Sequence, residues 1–169
     1  MMSVTAQKYS TKTGSLKFEA SVPSFEEVEA DNKTASAVLD TSNGNLAVLA
    51  LVKGFRFKVA LMEEHFNENY VESDKFPKAS FTGKIENFDA SKLTSQATTY
   101  TITGDLTLHG VTKKVSSKAK ISKSGTTIQI MGDFIAKPED YNISIPKTVR
   151  SKVANQVNVS YNLSLNSSK

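Results

Sequence analysis

Apolar and polar positions alternate along most of the chain, the period-2 pattern of strands with one buried face and one in water. Leu16, Phe18, Ala20 and Val22 share one face and Lys17, Glu19 and Ser21 the other, until Pro23 removes a ladder donor and ends the run. Thr34–Thr41 and Asn45–Lys53 read as a hairpin across Thr41-Ser42-Asn43-Gly44, with Asn43-Gly44 supplying the positive φ angles of a tight turn. Alternation resumes at Phe81, Gly83 and Ile85 and again from Tyr100 to Leu108, with a polar loop around Asp89–Thr99 between them. Val115–Ile121 and Ile128–Phe134 form a further hairpin around Lys123-Ser124-Gly125. Val157, Val159, Tyr161, Leu163 and Leu165 make a last long strand.

Two segments break the period. Ser24–Glu29 offers an N-cap followed by acidic residues, enough for a single helical turn. Ala60–Val71 switches to a period of 3.6, with Leu61, Met62, Phe66 and Tyr70 on one stripe, and is the one helix of the chain. About eight antiparallel strands and one short helix make an all-β chain whose strands can close into a barrel holding one small ligand. The same alternation permits a two-sheet sandwich. Gly83, Gly104 and Gly132, mid-strand on the apolar face, favour a bent, hollow barrel, although a bulge or packing under the helix accounts for them equally well.

Composition narrows the classes. A chain of 169 residues, 38% hydrophobic with a net charge of +4, fits one domain with a sizeable core, taken as residues 9–166. Lys113, Lys114, Lys118, Lys120 and Lys123 are separated by Ser and Ala without aromatic residues, the pattern of a solvated strand face and not of a nucleic-acid groove. Without cysteine there is no disulfide, thiolate nucleophile or Cys-ligated metal. The apolar run Leu46–Val52 is about a third of a membrane-spanning helix, so no stable membrane insertion is expected. Residues 1–8 read as a disordered N-terminus or the remnant of a trimmed secretory signal.

Candidate chemistry is sparse. His65 and His109 are the only histidines; His65, with Glu64 and Glu68 nearby, suits a general base or a metal only weakly, and His109 before Gly110 reads as a turn residue. No Gly-x-Ser-x-Gly elbow or phosphate loop is present, and polar alternation accounts for the Asn-x-Ser/Thr sites of the last strand. More informative is the crowd of apolar residues near the helix: Phe55, Phe57, Leu61, Met62, Phe66, Tyr70 and Phe81. They either fill a core beneath the helix or line a pocket.

The stretch Glu64-His65-Phe66-Asn67 to Asp74-Lys75-Phe76-Pro77-Lys78-Ala79-Ser80-Phe81-Thr82-Gly83, followed by Gly104-Asp105-Leu106-Thr107-Leu108-His109-Gly110-Val111-Thr112-Lys113, resembles the YceI-like family in order and spacing. The likeness spans Tyr9–Leu165. It implies an extended, lipocalin-like antiparallel β-barrel that binds polyisoprenoids or related amphiphiles without transforming them, needs no cofactor, and is exported to the bacterial periplasm. Asp133-Phe134-Ile135-Ala136-Lys137, continuing into Pro138-Glu139-Asp140-Tyr141-Asn142, departs from the Arg-Lys-Asp-Phe-Gly type of segment usual in the family.

On this reading the apolar ligand contacts Phe18, Phe55, Phe57, Leu61, Met62, Phe66, Phe81, Ile102, Leu106, Ile130 and Phe134, with Arg56 or Lys58 as partners for an anionic head. A homodimer is left open. Two other readings stand beside it: a β-rich protein-interaction module with a packed core, and a cavity enzyme using His65.

Overall fold

The alternation becomes strands in the computed structural model, which describes residues 8–21, 28–144 and 153–167. Among these residues run β1 (Lys8–Ser21), β2 (Glu29–Asp40), β3 (Asn45–Leu51), β4 (Arg56–Phe57), β5 (Lys78–Ile85), β6 (Thr98–Leu108), β7 (Val111–Ser124), β8 (Thr127–Ala136) and β9 (Val153–Ser167). Hydrogen bonding follows the order β1, β9, β8, β7, β6, β5, β3, β2, and pairing of β1 with β2 closes the ring. The result is a closed eight-stranded antiparallel barrel, not a two-sheet sandwich. The two-residue β4 succeeds β3 as neighbour of β2, pairing Phe57 with Ala30, and extends the wall at one end.

Strands run longer than the apolar alternation that announces them. β1 begins at Lys8 because register shifts on either side of Gly14 interrupt the period. The chain is tight there: a Cβ on Gly14 would meet Leu163 Cδ2 at 2.8 Å. The hairpin loop Thr41–Gly44 also departs from the expected tight turn, since only Gly44 takes a positive φ (81°). Asp40 holds the preceding residues by accepting from Ser42 N at 3.0 Å and Ser42 Oγ at 2.6 Å, which pulls its carboxyl below the usual range. The expected two-residue geometry appears instead at His109-Gly110, between paired Leu108 and Val111, where φ is 54° and 74°.

One end of the barrel is packed solid by Tyr9, Leu39, Ile85, Ile121, Ile128, Ile130 and Leu165. The polar loop before β6 contributes to it. Asp89 caps a 3₁₀ turn (Ala90–Lys92) by accepting from Ser91 N at 3.0 Å, and Leu93 then turns inward to join the core.

The opposite end carries the helix. α1 covers Ala60–His65 and passes into a single π turn, Phe66–Tyr70, so the regular helix stops short of the expected Val71. Asn67 causes the change of pitch: its Nδ2 donates to Glu63 O at 3.0 Å, the carbonyl its own backbone N–H would take in an α-helix. Val71 N then reaches back to Phe66 O at 3.0 Å. The expected turn at Ser24–Glu29 falls largely on residues 22–27, outside the described residues, as does the N-terminal segment 1–7.

Asn32, 0% exposed, ties the barrel to this end. Its Nδ2 donates to Leu51 O at 3.0 Å and its Oδ1 accepts from Thr34 N and Oγ1, both at 2.9 Å. Asn32→Ala is expected to lower unfolding free energy by about 2–4 kcal/mol, because it strands buried backbone groups without partners. Urea unfolding measures this, and a loss below about 1 kcal/mol would contradict the role.

Candidate ligand cavity

Between the packed end and the helix the barrel encloses a cavity of about 510 Å³. Inward residues of β1, β3, β5, β6, β7, β8 and β9 form its wall, while Leu61, Met62, Phe66 and Tyr70 roof it. The helix buries none of its residues, and Leu61 is 58% exposed, so its apolar stripe borders space and not a core. At strand rise and usual barrel tilt, the stretch of β6 from Ile102 to Leu108 gives a depth of about 15 Å.

Four phenylalanines anchor this roof. Phe18 of β1 lies 5.3 Å from Phe55, 5.6 Å from Phe57 and 5.2 Å from Phe66, and Phe57 lies 5.1 Å from Phe66. These edge and offset contacts attach the helix to the rim. The aromatic crowd therefore lines a pocket and does not fill a core beneath the helix.

Polar groups in the wall are few. Ser117 Oγ donates to Asp133 O at 2.8 Å and lies 2.6 Å from the Tyr161 hydroxyl. Burial pushes the Tyr161 phenol up, and does the same to Tyr70 and Tyr141. His65 and Lys137 sit exposed at the rim. Among the described residues no cluster of His, Cys, Asp or Glu could hold a metal ion. Among the described residues no helix is long and apolar enough to cross a membrane.

The structure gathers Phe18, Phe55, Phe57, Leu61, Met62, Phe66, Phe81, Ile102, Leu106 and Phe134 on the cavity wall. Ile130 is not among them: it shares their face but lies 0% exposed in the packed end. Arg56 and Lys58 are exposed and do not line the cavity, and Arg56 is paired with Glu63 at 3.3 Å. Alternation along β4 turns Phe57 inward and its neighbours outward. The segment from Phe134 to Ile143 contributes Phe134, Ala136, Lys137, Pro138, Tyr141 and Ile143 to the wall.

One pairing had no sequence signal. His109 Nδ1 lies 2.8 Å from Tyr141 O and Nε2 2.7 Å from Glu72 Oε2, with the ring edge-on to Phe76 at 4.6 Å. It is more than a turn residue: it fastens the connection after β8 to the exit of the helix.

Residues 2–165 match the YceI-like domain family over nearly the whole chain. The chain belongs to the YceI-like family. The YceI-like barrel also superposes on solved structures. A polyisoprenoid-binding domain from Saccharophagus degradans, implicated in plant cell wall breakdown, aligns with a TM-score of 0.81 at 16% identity, covering 97% of this chain and 100% of that one. Burkholderia cenocepacia BcnA aligns at 0.73 and 20%, covering 89% and 95%. A Campylobacter jejuni YceI protein aligns at 0.69 and 20%, covering 88% and 90%. These likenesses establish the fold of the YceI-like barrel. Among curated proteins, none matches its sequence.

Proposed function

We propose that this YceI-like barrel is a non-enzymatic carrier or store for a polyisoprenoid or comparable amphiphile, working in the periplasm. The observation that carries this reading is the cavity of about 510 Å³, walled by aliphatic and aromatic side chains and roofed by a helix whose apolar face borders it. Each buried methylene contributes about 0.8 kcal/mol, so about a dozen of them offset the cost of immobilising a flexible chain. The likeness to the Saccharophagus degradans polyisoprenoid-binding domain supports the choice of ligand class. His65 stands exposed at the rim, which gives little support to a cavity enzyme built on it.

Native mass spectrometry of freshly purified protein, followed by organic extraction, tests the proposal. An apolar adduct of defined mass, or uptake of farnesol or geranylgeraniol at micromolar concentration, is the expected result. Protein that is ligand-free and refuses prenols, prenyl phosphates, quinones and fatty acids alike would overturn it in favour of an interaction module.

A further inference from the structure

Ser117 of β7 and Tyr161 of β9 meet where the cavity wall passes into the packed end, across the intervening β8. Gly132 makes the meeting possible. It pairs with both Ala119 and Tyr161, and a Cβ on it would collide with the Tyr161 hydroxyl and lie 2.7 Å from Lys118 O. With no side chain there, the phenol lies across β8 and reaches Ser117.

The direction of each proton follows from the partners. Asp133 O is a carbonyl and only accepts, so the Ser117 hydroxyl donates to it at 2.8 Å. The remaining contact, 2.6 Å between Ser117 Oγ and Tyr161 Oη, must then use the Tyr161 proton. Both hydroxyl protons point into the wall, and what the pair turns to its surroundings is oxygen lone pairs. Both residues line the cavity, and the cationic side chain that joins them in that lining, Lys137, belongs to the rim.

We propose that this floor is an acceptor-only subsite, selecting ligands whose buried end carries a neutral hydrogen-bond donor such as a primary alcohol or carboxamide. An ether, a quinone carbonyl, an ionised carboxylate or a phosphate brings only acceptors and meets lone pairs with lone pairs. An anionic head is consequently left at the rim beside Lys137, whereas a prenol goes in hydroxyl first. The inference rests on the lipid-binding reading and adds which end of the chain is buried and with what chemistry.

Competition between farnesol and farnesyl methyl ether, read by native mass spectrometry on the whole protein, tests it. The wild type should favour the alcohol by about tenfold or more. Tyr161→Phe combined with Ser117→Ala removes both acceptor oxygens and should bring the ratio close to one. Ser117→Ala frees the Tyr161 proton to point into the cavity and donate, so the ether is no longer refused and the preference for the alcohol should fall, a change that a merely structural role for Ser117 does not produce. A wild-type ratio near one with both ligands bound, or a preference that survives the Ser117→Ala/Tyr161→Phe double variant, would overturn the inference and leave lipid binding standing. Binding of neither ligand to the wild type, together with refusal of the wider panel, sinks both.

Discussion

Gly104→Ala is expected to lower the unfolding free energy of the barrel by about 3 kcal/mol or more, a large share of what a domain of this size has. Gly104 faces Gly83 across β5 and β6. A Cβ on Gly104 would fall inside contact distance of Gly83 Cα and within 2.5 Å of Thr82 O, and one on Gly83 would lie 2.5 Å from Thr103 O. These are backbone atoms of the neighbouring strand, so no side-chain rotation relieves the overlap and the strands must part. The Phe81 ring, which also lies against both glycines, would be displaced with them. Urea or thermal unfolding reads the effect. Gly83→Ala should behave similarly, and the double variant should cost less than the sum because one separation of the strands relieves both. A Gly104→Ala protein within about 1 kcal/mol of wild type would show that the sheet gives way there easily.

A second large effect is expected from filling the cavity. Val115 pairs with Gly104, and both Val115 and Ala79 line the cavity wall. Val115→Phe combined with Ala79→Phe should weaken prenol uptake at least a hundredfold, about 2.7 kcal/mol, by occupying the space the ligand needs. Melting temperature should hold or rise, since apolar atoms enter a void and not a packed core. Unchanged affinity in a folded double variant would place binding on the outside of the barrel and refute the interior site.

Face was legible in the sequence; depth was not. Ile130, Gly132 and Phe134 alternate on one side of β8, and all three turn inward, but only Phe134 reaches the cavity wall while Ile130 lies in the packed end. A period-2 pattern assigns a side of the sheet and says nothing of position along the barrel axis. The helix stripe read well because one element supplies Leu61, Met62, Phe66 and Tyr70, and their relation survives even the π turn. Ser117 did leave a trace: a polar residue in the inward register of Val115, Ala119 and Ile121. Its meaning needed Tyr161, 44 positions on, just as His109 needed Glu72 and Tyr141. Contacts between strands distant in the chain depend on closure of the barrel, and closure itself is the pairing of β1 with β2 that no local pattern announces.

The packed end has a consequence for traffic. Because Tyr9, Leu39, Ile121 and Leu165 stopper the barrel, cargo has no through passage: whatever enters beside the helix must back out the way it came. Whichever end of a molecule is first in is last to leave. Handover to a bilayer or to another protein then requires rim to meet acceptor directly, with the end that lay at the rim leading the way out.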